Sequence, residues 1–249
     1  RQSEHPHAAV EIQHMPAPRT RQDGAHVRGV DWRFNAWGGL YASWARDAQV
    51  ARRVLDLTGV DRYAAPLVME GGAFHVDGQG TLITTAECLL NPNRNPTLTR
   101  ADIESHLADY LNIEAVIWLD EGVYLDETSG HVDNLCCFVR PGVVALTWTD
   151  DQADPQYDRS HAAYERLMAA VDVRGRRLTV HRIHQPGPIH ITAAESRGVQ
   201  SVAGTHPRNA GDRLAGSYIN FYIANGGIAA PVFDDPHDAA ALQTLVDLF

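Results

Sequence analysis

The segment Thr128-Ser-Gly-His-Val-Asp-Asn-Leu-Cys-Cys-Phe-Val-Arg-Pro-Gly142 places a histidine and an aspartate two positions apart, ahead of an apolar run that stops at a turn. Residues two apart on a strand share one face. We therefore expect His131 and Asp133 to point in the same direction from a short, rigid element. An imidazole beside a carboxylate is suited to moving a proton next to a bound cation. The structural alternative is a surface pair at the start of a strand.

The sequence His-Val-Asp occurs a second time, at His75-Val-Asp77, and each copy opens a predicted hairpin. A third predicted hairpin contains Asn225-Gly226, a strong signal for a two-residue turn. Asn220 would lie in the first strand of this third hairpin. The predicted hairpins span residues 74–84, 131–148 and 217–233.

The order hairpin, helix, strand occurs twice in full and begins a third time. Repetition of one supersecondary unit indicates an α/β fold of radial or stacked units. A ring of such units would bring Glu70, His131, Asp133 and Asn220 to a common axis. A doubly wound sheet is the alternative, but it fits the pattern less well because tight hairpins require antiparallel strand pairs.

The composition and charge of the chain limit which partners and which cellular compartment are expected. The chain has 249 residues and a formal net charge of −10, which argues against nucleic acid or an acidic membrane surface as the partner. Its three cysteines fit reduced thiols and a cytoplasmic location. No apolar run approaches the roughly 20 residues of a membrane span. Residues 1–26 lack periodicity and are interpreted as a flexible lead-in to a folded domain at 27–249.

Neither the cysteines nor the histidines form a recognisable metal motif. His181, His184 and His190 have no carboxylate or thiol at a usual ligand spacing, so we predict no metal. Cys88 and the adjacent Cys136 and Cys137 lie in apolar stretches, where cysteine usually packs as a small hydrophobic residue.

Five segments in order resemble the agmatine deiminases and the related bacterial peptidylarginine deiminases. The resemblance implies a pentein fold, a pseudo-fivefold α/β propeller, of which 27–249 would be a partial domain with an incomplete ring. It also implies conversion of a guanidinium to a ureido group with release of ammonia, through a cysteine nucleophile and without a metal or organic cofactor. The five segments are Val30–Gly39, Met69–Gly78, Leu89–Pro96, Ser129–Asn134 and Ser217–Gly226.

The same resemblance assigns roles to residues. His131 would protonate the leaving ammonia and later activate water, Asp133 would bind guanidinium nitrogens, and Glu70 would hold the histidine or the substrate. For His75 and Asp77, substrate binding and ordering of the neighbouring loop are both open. The other residues matched to substrate-binding positions are Trp32, Asn35, Trp37 and Asn220.

Two expected motifs do not occur in these 249 residues. The family nucleophile lies in Gly-Gly-Gly-Asn-Ile-His-Cys, and an Arg-Asp-x-Gly-Pro motif is expected where the chain reads Arg19-Thr-Arg-Gln-Asp-Gly-Ala25. We therefore expect no deimination by this chain alone.

Three hypotheses about function stay open. They are an agmatine deiminase of putrescine synthesis whose nucleophile is absent from this chain, an inactive truncated pentein, and a peptidylarginine deiminase. Agmatine is favoured as the small-molecule partner by the matches at Asn35–Gly39 and Ser217–Gly226. The sequence leaves a homo-oligomer open.

Overall fold

Short strands alternate with helices along the chain. The computed structural model describes residues 11–13, 27–200, 202–224 and 227–249. The strands are β1 Glu11–Gln13, β2 Arg28–Arg33, β3 Asp61–Val68, β4 Phe74–Val76, β5 Thr81–Thr85, β6 Ala115–Leu119, β7 Cys136–Arg140, β8 Val143–Trp148, β9 Thr179–His184, β10 Ile189–His190, β11 Arg213–Leu214, β12 Tyr222–Ala224 and β13 Gly227–Ala229. The helices are α1 Ala36–Gly39, α2 Val50–Thr58, α3 Ala86–Leu89, α4 Arg100–Leu111, α5 Gln156–Ala169, α6 Ala193–Gly198 and α7 Asp238–Leu248.

Three separate sheets share one plan: β1-β2-β3, β4-β5-β6 and β7-β8-β9. In each sheet the first pair is antiparallel and the last pair is parallel. A parallel partner requires a long crossover, which α2, α4 and α5 provide in turn. The predicted α/β class is therefore present, whereas among the described residues no sheet closes on itself.

The repeated unit occurs three times in full, once more than the sequence pattern indicated. The additional copy is the first one, and it was missed because β1 lies within the segment interpreted as a lead-in. Residues 1–10 and 14–26 of that predicted lead-in lie outside the described residues. The short pair β12-β13 followed by α7 repeats the beginning of the unit.

Local sequence signals set several element boundaries. The sequence Thr99-Arg-Ala-Asp102 predicts a capping box at the start of α4. The box is present, since Asp102 N donates to Thr99 Oγ1 at 3.2 Å and Thr99 N donates to Asp102 Oδ2 at 2.8 Å. The helix that follows buries Ile103, Leu107 and Leu111 against the sheet. These contacts hold α4, which lies between β5 and β6 in the chain, in the core, as the apolar spacing predicted.

Helical spacing in the sequence predicts one apolar stripe of Tyr164, Leu167, Met168 and Val171, and this prediction is only half correct. Tyr164 and Leu167 pack against the core, but Met168 and Val171 are 42% and 50% exposed. The helix ends at Ala169, so Val171 lies beyond it.

Two predicted strands begin later than expected. The hairpin that was to open at His131 begins at Cys136, and His131 precedes a 3₁₀ turn at Val132–Asn134. Asn220 likewise precedes β12 rather than lying within it. The polar residues therefore occupy the segments that lead into the hairpins, and alternation along a strand is not what orients them.

The second and third units are joined by a close backbone contact. Thr85 Oγ1, at the end of β5, donates to Gly130 O at 2.5 Å. A Cβ placed on Gly122 would clash with the Gly130 backbone, so only glycine fits there. This contact fixes the segment that carries His131 against the second unit. Within the described residues, no helix is long and apolar enough to cross a membrane.

Candidate active site

A buried ion pair forms the base of the site. Glu70 follows β3 and Arg94 lies in the loop after α3, and both are almost fully buried. Arg94 Nε lies 3.0 and 3.1 Å from the two oxygens of Glu70, and Arg94 Nη2 donates to Thr128 O at 2.7 Å. Burial raises the pKa of Glu70, but hydrogen bonding to His131 and the charge of Arg94 bring it below its ordinary value. Arg94 thus holds three segments together around an ionised carboxylate.

His131 lies above this ion pair. Its backbone N donates to Asp126 Oδ2 at 2.9 Å, and its Nε2 is 3.4 Å from Glu70 Oε2. Burial lowers the pKa of His131, but interactions with Cys88 and Glu70 and the charge of Asp133 outweigh burial and raise it to about 10. His131 is therefore an imidazolium at neutral pH.

Asp133 faces the other side of the imidazole. A Cβ placed on Gly72 would clash with both His131 Nδ1 and Asp133 Oδ2, so these two atoms flank the same glycine. Burial raises the pKa of Asp133 to about 6, although the charge of His131 opposes the rise. Among the described residues Asp133 Oδ1 has no hydrogen-bond partner. An ionised carboxylate with a free acceptor is suited to a cationic N–H donor.

These groups open into a cavity of about 900 Å³. Asn220 lines the cavity and donates from Nδ2 to Asn134 Oδ1 at 3.0 Å. Trp37 lines it too, held edge-on between Phe34 and Tyr41 with ring centroids 5.0 and 6.0 Å apart. The lining residues are Trp37, Leu40, Tyr41, Glu70, Gly71, Gly72, Glu127, Thr128, His131, Asp133, Arg208, Asn220, Phe221, Tyr222, Ala229, Ala230 and Pro231.

The predicted residues Trp32 and Asn35 do not line this cavity. Trp32 is 7% exposed and packs in the core beside Tyr110, with ring centroids 5.7 Å apart. Asn35 caps α1 by accepting from Gly38 N at 2.9 Å, and it donates to Asn93 O at 2.7 Å. Both residues support the segment that carries Trp37.

His75 and Asp77 also lie away from the lining residues. Phe138 N donates to His75 Nδ1 at 3.1 Å, and burial lowers the pKa of His75 to about 4. Asp77 Oδ1 accepts from the backbone of Gln79 and Thr81 at 2.7 and 2.9 Å. These contacts give the pair a role in joining two hairpins and closing a turn, and we propose no substrate contact for them.

Sequence reasoning missed two buried members of the site. Arg94 was treated as part of a loop, and Cys88 as core packing. In the structure, the potential ligand atoms of Glu70, Cys88 and His131 all lie within 4.8 Å of one another. Three such ligands have the spacing of a metal site, but a metal on Glu70 would lie against the Arg94 guanidinium. We therefore assign no metal to this cluster.

The raised pKa of His131 predicts a pH-dependent stability. The unfolded histidine has its ordinary pKa near 6.5, and the folded one titrates near 10. The folded state therefore holds the proton more tightly, and this stabilisation is complete below about pH 6.5 and lost as pH rises to about 10. The unfolding free energy of wild type minus that of His131→Asn, measured by urea denaturation, should fall across this range.

His75→Asn is the matched control for this measurement. The pKa of His75 is lowered to about 4, so its contribution is lost only as pH falls from about 6.5 toward 4. Its difference from wild type should stay constant between pH 7 and 10. A constant difference for His131→Asn over the same range would contradict the prediction.

Known proteins are similar to this chain over most of its length. A family model described as Porphyromonas-type peptidyl-arginine deiminase matches residues 12–249. The putative agmatine deiminase of Shewanella frigidimarina is 58% identical over 226 residues, covering 89% of this chain and 61% of the relative. The agmatine deiminase of Ectopseudomonas mendocina is 58% identical over 228 residues, covering 90% and 62%.

Solved structures give the same result. The agmatine deiminase of Enterococcus faecalis has a TM-score of 0.86 and 45% identity, covering 90% of this chain and 62% of that one. A structure described as the putative arginine deiminase from Porphyromonas gingivalis has a TM-score of 0.79 and 30% identity, covering 91% and 63%. This chain spans about 61% of the length of the first curated relatives it matches. The chain belongs to the family of agmatine and peptidyl-arginine deiminases.

Proposed function

We propose that the complete protein is an agmatine deiminase, which converts agmatine to N-carbamoylputrescine and ammonia in putrescine synthesis. The observation that carries the proposal is the free oxygen of Asp133, next to a buried imidazolium in a cavity. The reducing cytoplasm is the compartment we propose, since Cys88, Cys136 and Cys137 are free thiols.

The chemistry requires a fixed cation and a proton donor. A guanidinium is planar, always charged and a poor electrophile, so its orientation must be imposed. In the proposed reaction a cysteine thiolate adds to the guanidinium carbon, and the C–N bond then breaks as His131 gives its proton to the leaving ammonia. Water next adds to the carbon and passes one proton back to His131. The thiolate then leaves as the carbonyl forms, and the remaining hydroxyl proton is released to solvent. Asp133 holds the substrate N–H groups throughout.

This chain supplies the binding and proton-transfer parts of that scheme. The cysteine belongs to the Gly-Gly-Gly-Asn-Ile-His-Cys motif implied by the resemblance, which does not occur in the 249 residues. The chain by itself should therefore bind agmatine without releasing N-carbamoylputrescine. Colorimetric detection of a ureido product from the 249-residue chain would contradict this expectation.

The substrate within the family is proposed from the identities of several relatives. The curated relatives at 55–58% identity are named agmatine deiminases. The structures described as peptidyl-arginine or arginine deiminases are 27–30% identical. Agmatine is therefore the preferred substrate over peptidylarginine, and side-by-side assays of the complete protein distinguish the two.

Calorimetric titration of the 249-residue chain with agmatine tests the binding step. We expect agmatine to bind and Asp133→Asn to weaken binding by about 10- to 100-fold, since a hydrogen bond to a charged partner contributes about 1.5–3 kcal/mol. Putrescine, which lacks the guanidinium, should bind more weakly than agmatine to wild type.

The matched control is Asp120→Asn, which removes a surface carboxylate paired with Arg166. It should bind agmatine as wild type does. Equal affinities for Asp133→Asn and wild type would refute the assignment of Asp133. Absence of turnover by the complete protein, with binding retained, would favour an inactive pentein.

A further inference from the structure

Cys88 lies in α3, and its thiol is close to the imidazole of His131. Its side chain is fully buried, and its sulfur lies within 4.8 Å of a His131 ring nitrogen and a Glu70 carboxylate oxygen. Cys88 N donates to Thr85 Oγ1 at 3.2 Å, and Thr85 Oγ1 donates to Gly130 O at 2.5 Å. One threonine therefore anchors both the helix that carries the thiol and the segment that carries the histidine.

The two sides of the imidazole have different surroundings. Nε2 faces Glu70, which is in turn paired with Arg94, and the Cys88 sulfur lies within 4.8 Å of a ring nitrogen and of a Glu70 oxygen. Nδ1 faces Gly72, Asp133 and the cavity. Asp126 holds the backbone N–H of His131 and adds negative charge near Asp133.

We propose that Cys88 is a positioning residue for His131: its sulfur holds the ring with Nδ1 toward Asp133 and the cavity, and it favours the protonated imidazole. The proposal rests on the proposed function, in which His131 carries the proton for the leaving ammonia. Sulfur is a weak acceptor and a soft, polarizable neighbour, so it can stabilise an N–H donor.

The alternative is that Cys88 only fills space. A packing role predicts that any apolar residue of similar volume can replace it with no effect on the proton affinity of His131. A positioning role predicts that removal of the sulfur lowers that affinity even when the volume is kept. The interactions of His131 with Cys88 are among the causes that raise its pKa.

The test is an NMR pH titration of the His131 ring in the ligand-free, isotope-labelled 249-residue chain. The signals are assigned by comparison with His131→Asn, since the chain has 13 histidines. We expect Cys88→Val, which keeps the volume, to lower the midpoint of His131 by about one pH unit or more, on the scale set by a single interaction with a charged state. Cys88→Ser, which keeps an acceptor, should retain most of the wild-type midpoint.

The matched control is Cys136→Val, a fully buried cysteine in the core cluster of the third unit. It should leave the His131 midpoint unchanged. A wild-type midpoint in folded Cys88→Val would overturn the proposal, as would equal decreases in Cys88→Val and Cys136→Val. If Cys88→Val does not fold, the result for Cys88→Ser decides. A His131 midpoint near pH 6.5 in Cys88→Ser would also overturn the proposal.

This experiment is independent of agmatine. The titration is made without ligand, so a failure of agmatine to bind would refute the proposed function and leave the positioning result standing. Conversely, normal agmatine binding with an unchanged His131 midpoint in Cys88→Val would refute only the positioning role.

Discussion

Arg94→Met should destabilise the 249-residue chain by about 3–5 kcal/mol, the usual cost of leaving one partner of a buried ion pair uncompensated. Arg94 and Glu70 have side chains that are 0% and 2% exposed. Without the guanidinium, Glu70 either keeps its charge with only the His131 imidazolium as counterion or takes up a proton against its lowered pKa. Arg94 also donates to Thr128 O, so the segment before His131 loses a contact. Urea denaturation at pH 7 measures the change.

Two further variants make this prediction specific. Arg166→Met removes an arginine from an exposed pair with Asp120 and should cost less than about 1 kcal/mol. Adding Glu70→Gln to Arg94→Met removes the uncompensated charge and should recover part of the lost stability. Equal costs for Arg94→Met and Arg166→Met would show that the buried pair does not hold the site together.

Gly72→Ala should reduce the affinity of the chain for agmatine by more than about 100-fold. The added methyl would occupy the space now filled by His131 Nδ1 and Asp133 Oδ2, so both groups must move. Overpacking at a well-packed position also costs about 1–3 kcal/mol of stability. Calorimetric titration with agmatine and urea denaturation separate the two effects.

Gly198→Ala provides the control, because no atom in the described part of the chain lies within 4 Å of a Cβ built at Gly198. It should bind agmatine with wild-type affinity. Retained affinity in folded Gly72→Ala would mean that the imidazole and carboxylate do not have to meet at this glycine for binding.

The fold was predictable where the signals are local. Apolar spacing and the capping box at Thr99 gave α4, and the turn residues of the hairpins gave their antiparallel pairs. The first unit was missed because its opening strand has three residues in a segment without periodicity. A three-residue strand is defined by its partner β2, which a pattern read along the chain does not contain.

Repetition and resemblance predicted the site residues. The predicted reason for the common direction of His131 and Asp133, which was alternation along a strand, was wrong. His131 and Asp133 lie at a 3₁₀ turn, so period-two alternation does not explain their common direction. Gly72 explains it, because the chain before β4 approaches closely enough to touch both side chains. Arg94 and Cys88 were missed because their partners lie 24 and 43 positions away, beyond any local pattern.

The polar cavity residues Glu70, His131, Asp133 and Asn220 all lie before a hairpin and outside its ladder. Glu70 and Gly72 precede β4, His131 and Asp133 precede β7, and Asn220 precedes β12. Strand pairing therefore imposes no alternation on these positions, and changes there leave the ladders intact. A combinatorial library restricted to the three lead segments, with Glu70 and Gly72 kept, would alter ligand preference while strand pairing stays as it is.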